Sequence, residues 1–170
     1  MSIKFNEFRD KPVSLECSCS VLFQGFNWRL LYELKCGDLP RSPGVYVLWL
    51  VNPGNIDIAV EFLEDIIMRI NWLEMKKFLW SRAKRLKRLK TMKCPVIYIG
   101  STRNLASRCK ELAGRRHTVF TAILALLVSS SIIDYGFKVT GSIGEARILE
   151  DELKTKYSRI HRFKPALVER

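Results

Sequence analysis

Between residues 56 and 93 the chain contains neither proline nor glycine, and an apolar, strand-like segment stands at each end of that stretch. Few folds accommodate such a span. Ala59, Phe62, Leu63, Ile66, Ile70 and Leu73 recur at helical spacing, so it is either one long helix or a helical hairpin turning near residues 71–77. Before it, Pro43-Gly44 breaks the chain, and residues 45–51 run apolar with β-branched and aromatic members, as a central strand does. Asn52-Pro53-Gly54 ends that run. After the helical span, residues 94–100 return to strand character and stop at Gly100. Helices are expected over 104–113 and, more deeply buried, over 117–130, followed by a third strand over 132–139. Ser142-Ile143-Gly144-Glu145 has the capping-box pattern, in which the serine and glutamate side chains satisfy N–H groups left open at a helix start. It opens a last helix reaching about residue 157.

This order predicts an α/β fold: a small, mostly antiparallel three-stranded sheet flanked by helices, with residues 52–93 as a basic helical insertion between the first two core strands. Residues 1–40 read as a lead-in, in which Asn27 caps a short helix through Cys36 and Gly37 stops it in the left-handed conformation. A length of 170 residues suits a single domain, 1–170, carrying that insertion.

Composition narrows the function classes. Hydrophobic residues make up 48% of the chain, enough for a packed core, which argues against global disorder. Lys and Arg number 29 against 17 Asp and Glu, a net charge of +12, which favours a polyanionic partner, either nucleic acid or an anionic membrane surface. The longest apolar run, residues 119–128, is too short for a bilayer, which needs about 20 residues. Residues 1–11 are polar and charged, unlike a secretory leader. The five cysteines (Cys17, Cys19, Cys36, Cys94 and Cys109) show no disulfide-framework spacing, so the expected setting is a reducing cytoplasm, with the protein free or nucleoid-associated. Cys17 and Cys19 with Cys36 supply half of a zinc site. No second close pair completes it, and the histidines are His117 and His161 alone, so buried thiols are the favoured reading.

Tyr46 and Tyr98 each sit on an apolar strand, 52 residues apart. Alternation puts Tyr46 on a face with Leu48 and Leu50, and Tyr98 on a face with Val96 and Gly100. Paired in suitable register, the strands can direct both phenols to one shallow site, and Gly100 leaves room for backbone or phosphate approach. Downstream lie Asn104-Leu105-Ala106-Ser107-Arg108 and Glu145-Ala146-Arg147-Ile148-Leu149-Glu150. In that order the four segments resemble the GIY-YIG nuclease family, over residues 40–168 with one large interruption.

The resemblance implies a metal-dependent DNA endonuclease. One phenol would position or deprotonate the attacking water and the other orient the phosphate. An isolated phenol has a pKa near 10, so a base role needs a nearby cation. Arg108 would be the catalytic arginine, its planar fork suited to a phosphate oxygen. Glu150, at the margin of the helix face defined by Ala146, Leu149, Leu153 and Tyr157, would hold Mg²⁺ or Mn²⁺. His117 would assist as proton donor or phosphate contact. The chain departs from the family pattern in three ways: Val45 replaces an isoleucine, the tyrosines are widely separated, and Val168 of Pro165-Ala166-Leu167-Val168 stands where relatives carry an asparagine.

The DNA grip is expected from Arg82, Lys84, Arg85, Lys87, Arg88, Lys90 and Lys93, seven cations in residues 82–93, with Arg115 and Arg116 beside His117. Such contacts give affinity and position rather than sequence recognition. The leading reading is a restriction-type or repair-type endonuclease acting on DNA, with RNA as the alternative substrate and a homodimer, or a second catalytic event, needed to cut both strands. The alternative is a non-catalytic nucleic-acid-binding module on a degenerate scaffold, motivated by Val168. A third reading uses the basic helix on a membrane surface or a protein partner.

Overall fold

A computed structural model describes residues 8–13, 17–114 and 117–168. Four strands form one sheet: β1 (Asn27–Leu30), β2 (Gly44–Asn52), β3 (Val96–Thr102) and β4 (Ile132–Val139). Their spatial order is β1-β4-β2-β3 and every pairing is antiparallel. The described residues also form five α-helices: α1 (Ile56–Arg69), α2 (Leu73–Leu89), α3 (Leu105–Ala113), α4 (Phe120–Val128) and α5 (Ile143–His161).

The sheet has one strand more than expected, and this moves the insertion. The α1–α2 hairpin joins the second and third strands, not the first two, because residues 27–30 form a strand rather than a helix. Asn27 therefore caps nothing. Trp28 explains the strand: its buried indole lies flat against Gly136 of β4, where an added Cβ would come within 2.6 Å of the ring. Beyond β1 the chain makes only short 3₁₀ turns at Leu31–Glu33 and Cys36–Asp38. Gly37 lies inside the second of these, and the left-handed glycines among the described residues are Gly25 and Gly54.

Asn55 starts α1 by accepting the N–H groups of Asp57 and Ile58. The helical span breaks at residues 70–72, making the hairpin. Ser142 accepts the Glu145 N–H at 3.1 Å, while the Glu145 carboxylate takes the Gly141 N–H at 2.9 Å, one residue earlier than the reciprocal bond of a standard capping box. α5 runs to His161 and closes on Arg162, which adopts a left-handed φ of 64°.

Each face of the sheet carries its own core. Tyr46, Leu48, Leu50, Ile97, Tyr135 and Phe137 pack beneath α1, α2, α3 and α4. Val45, Val47, Trp49, Val96 and Ile99 pack against α5 and the 3₁₀ segment Ser18–Phe23. A bulge separates the pairs Leu48–Tyr98 and Trp49–Val96, leaving Ile97 as the extra residue. The bulge corrects the simple alternation: Val96 enters the α5-side core, whereas Tyr98 packs on the opposite side. Cys36 and Cys109 form a disulfide, correcting the expectation of thiols throughout. Among the described residues no helix is long and apolar enough to cross a membrane.

Candidate active site

Antiparallel pairing sets Tyr46 directly opposite Gly100, and Leu48 opposite Tyr98. The missing side chain of Gly100 is what lets the two phenols meet. A Cβ there would lie 2.7 Å from Tyr98 Cε1 and 2.9 Å from Tyr46 Oη. The rings stand 5.7 Å apart with their planes tilted by 30°, and Tyr135 of β4 stacks on Tyr46 at 5.8 Å. His117, in the turn before α4, packs edge-on to both Tyr46 and Tyr98.

His117 Nε2 lies 2.8 Å from Tyr46 Oη, and its Nδ1 accepts the Val119 N–H at 3.2 Å. A ring nitrogen that accepts a backbone N–H carries no proton. The imidazole is therefore the Nε2–H tautomer, donating to the Tyr46 oxygen and leaving the phenol's own proton to be donated elsewhere. Burial pushes the Tyr46 hydroxyl well above its ordinary value, and the neighbouring Tyr98 hydroxyl pushes the same way. Arg108 opposes both without overcoming them. Burial likewise raises Tyr135, whose hydroxyl has no hydrogen-bond partner among the described residues. In this arrangement Tyr46 is a neutral hydrogen-bond donor at ordinary pH.

Arg108 rises from α3, which Asn104 caps by accepting the Ser107 N–H at 2.9 Å. Its guanidinium bonds Glu111 at 2.7 Å, while its buried Nε has no partner among the described residues. It lines a groove at the end of β3 together with Ser101, Arg103, Ser107, Glu111 and, from α5, Arg147. Three arginines around one opening make it a place where an anion is attracted.

Glu150 stands apart from the tyrosines. It hydrogen-bonds the Ser101 hydroxyl and pairs with Lys154 one turn along α5. Ser101 follows Gly100, so it points to the opposite face of the sheet from Tyr46 and Tyr98. The structure thus gathers Tyr46, Tyr98 and His117 on one face and sets Arg108 within electrostatic reach of Tyr46. Glu150 lies across β3. Both of its carboxylate oxygens are engaged, one by Ser101 and the other by Lys154, so a hard cation could bind there only in place of one of these contacts. Lys154 holds that carboxylate in the structure.

No family model, curated protein or solved structure matches the chain.

The cations expected to grip DNA separate into distinct environments. Arg82 is buried, with its guanidinium 4.6 Å over the Phe78 ring, because it lies on the α2 face shared by Leu79, Ala83, Leu86 and Leu89. Arg85 donates to the Leu167 carbonyl and so secures the chain's end. Lys87 and Lys90 pair with Glu64 and Asp57 of α1. Lys84, Arg88 and Lys93 are exposed. Arg115 and Arg116 lie outside the described residues. Val168 follows the buried Leu167, whose N–H bonds the Ile97 carbonyl at the bulge.

Two features escaped the sequence reading. Ser101 holds the candidate metal ligand, and its signal was its position directly after Gly100. The other is what joins Cys17 and Cys19: Cys94 and His161 converge with them behind the sheet, whereas Cys36, read beside that pair, is bonded to Cys109. Cys94 is drawn down to about 5 because Cys19 hydrogen-bonds its sulfur, and the same bond pushes Cys19 strongly up.

Proposed function

We propose that the chain is a metal-dependent endonuclease of the GIY-YIG kind, hydrolysing phosphodiester bonds in DNA. The observation that carries this reading is the convergence of two tyrosines, one from each apolar strand, over a glycine that only a bare backbone permits, with a histidine hydrogen-bonded to one of them. Tyr46, whose pKa is raised, remains a donor, and Tyr46 and Tyr98 would orient the attacking water and a phosphate oxygen by hydrogen bonds. The raised pKa of Tyr46 argues against its acting as a base by itself. His117 supports Tyr46 from behind. Arg108, with Arg147 across the groove, would neutralise charge accumulating on the phosphoryl oxygens. Glu150 would hold Mg²⁺ or Mn²⁺, which when bound polarises the phosphoryl oxygen and relieves charge on the leaving oxygen. Lys154 would have to release the carboxylate first.

DNA would lie along α2 and the loop after it through Lys84, Arg88 and Lys93, while Lys87 and Lys90, exposed as well, are paired with Glu64 and Asp57. Cutting both strands would take a dimer or two successive events. The four-stranded sheet, with β2 central between β3 and β4, is compatible with a GIY-YIG-like sandwich extended by β1. A second reading, a non-catalytic DNA-binding module, is favoured by the neutralised Glu150, its position across the sheet from the tyrosines, and Val168.

Incubation with supercoiled plasmid and Mg²⁺ or Mn²⁺, with and without EDTA, tests the proposal. Nicked or linear product that requires the metal is expected. An intact plasmid alongside salt-sensitive binding would favour the second reading.

A further inference from the structure

Cys17 immediately precedes the 3₁₀ segment Ser18–Phe23 and Cys19 lies in it, Cys94 comes from the loop entering β3, and His161 is the last residue of α5. These segments are far apart in sequence, yet one ligand atom from each residue falls within 4.8 Å of all the others. The sulfur separations are 3.1 Å for Cys17–Cys19 and 3.4 Å for both Cys17–Cys94 and Cys19–Cys94, and Cys17 lies 3.3 Å from His161 Nε2. None of these thiols is in a disulfide. All three cysteines are buried and His161 is half-buried.

We propose that Cys17, Cys19, Cys94 and His161 form a structural zinc site. Three thiolates and one imidazole are a standard closed ligand set for this ion, four-coordinate and tetrahedral, with Zn–S near 2.3 Å and Zn–N near 2.0 Å. Tetrahedral geometry at those bond lengths sets sulfurs about 3.8 Å apart and sulfur about 3.5 Å from nitrogen. The sulfur separations are about 0.4–0.7 Å shorter than that and Cys17–His161 about 0.2 Å shorter, so an outward movement of the sulfurs admits the ion. Packing alone does not ask for this arrangement, because three weakly hydrogen-bonding thiols crowded on one another fill a core no better than alanine or valine.

The surroundings fit a fixed ion. His161 is held between the Tyr157 ring, 4.5 Å away, and Phe163, 5.6 Å away. The buried Tyr157 hydroxyl has no hydrogen-bond partner among the described residues. A metal-bound Cys94 sulfur would give it an acceptor, the kind of outer-shell contact that orients a ligand. The site would clamp the N-terminal segment to the start of β3 and the end of α5, the elements that carry Tyr98 and Glu150. It is separate from the Glu150 carboxylate in position and in ligand chemistry, and it stands whether or not the protein cuts DNA.

Titration of the reduced, metal-free protein with Co²⁺ is the test, because thiolate-to-cobalt charge transfer and intense visible d–d bands report tetrahedral sulfur ligation without any enzymatic assay. One equivalent of Co²⁺ should develop both bands and one equivalent of Zn²⁺ should bleach them, while Glu150→Ala should titrate identically. His161→Ala should weaken zinc binding by more than the roughly 10–100-fold typical of losing an outer-shell partner. If Cys94→Ser fails to fold, the wild-type spectrum decides alone. Absence of the charge-transfer band with all three thiols reduced would overturn the proposal. So would peptide mapping that finds a disulfide among Cys17, Cys19 and Cys94.

Discussion

Gly100→Ala is the sharpest perturbation of the tyrosine pair. The new methyl would sit 2.7 Å from Tyr98 Cε1, 2.9 Å from Tyr46 Oη and 3.0 Å from Tyr46 Cζ, all well inside van der Waals contact. Tyr98 is half-buried and can swing aside. Tyr46 cannot, since Tyr135 stacks against it and His117 holds its hydroxyl. Gly100 is not among the left-handed glycines, so the backbone accepts alanine and the cost is steric. Overpacking of this kind costs about 1–3 kcal/mol. The loss of chain entropy in the unfolded state returns about 0.4–1 kcal/mol. The net destabilisation is therefore up to about 2.6 kcal/mol, or up to roughly 10 °C in Tm for a chain of this size. Gly37→Ala is the internal control, because nothing lies within 4 Å of a Cβ there and only the entropic gain applies. Urea denaturation of both variants, with unchanged m-values, isolates the steric contribution. Equal stability of the two would refute the packing of both phenols onto Gly100.

Other consequences are open to measurement. Replacing both Cys36 and Cys109 by serine removes a crosslink between residues 73 apart in sequence and should lower stability by about 3 kcal/mol in urea, within a loop-entropy limit of about 4 kcal/mol. Tyr46 has a folded-state pKa raised above the ordinary 10, so the folded state holds its proton longer than the unfolded state does. Its stabilising contribution is complete below about pH 10 and declines as pH rises toward the folded pKa. Thermal unfolding of Tyr46→Phe should accordingly show a shallower alkaline loss than wild type above that pH. Exposed cations of α2 and the loop after it should control the salt dependence of DNA binding: replacing Lys84, Arg88 and Lys93 together should reduce the slope of log K against log salt by up to about 2.7, at about 0.9 per phosphate contact. Arg82→Gln should instead lower thermal stability and leave that slope unchanged, because its guanidinium is buried over Phe78.

Much of the fold was legible because its signals are local. The strand Ile132–Val139, the helix Leu105–Ala113 and the Ser142 cap of α5 were readable from a few neighbouring residues. The strand Asn27–Leu30 was not. It is four residues long, and what makes it a strand is pairing with β4 more than a hundred positions away, secured by Trp28 lying on Gly136. The same holds for the cysteine cluster: Cys17 and Cys19 announce themselves, but only the tertiary fold brings Cys94 and His161 to them. The bulge at Ile97, which sends Val96 away from Tyr98, also depends on the partner strand. Arg82 was readable and misassigned, since it falls three residues after Leu79 and four before Leu86, on the apolar stripe of α2. The site's two faces were not visible in sequence at all. Order along the chain listed Tyr46, Tyr98, Arg108 and Glu150 together, whereas the pairing of Ser101 with Glu150 sets the carboxylate across β3 from the phenols.

The measurement that bears most directly on the nuclease proposal is cleavage and binding of one labelled DNA duplex, side by side, for wild type and Glu150→Ala in Mg²⁺ and in Mn²⁺. The account predicts similar affinity for both proteins and cleavage by wild type alone, suppressed by EDTA. Equal cleavage by both proteins, or none by either despite tight binding, would contradict it.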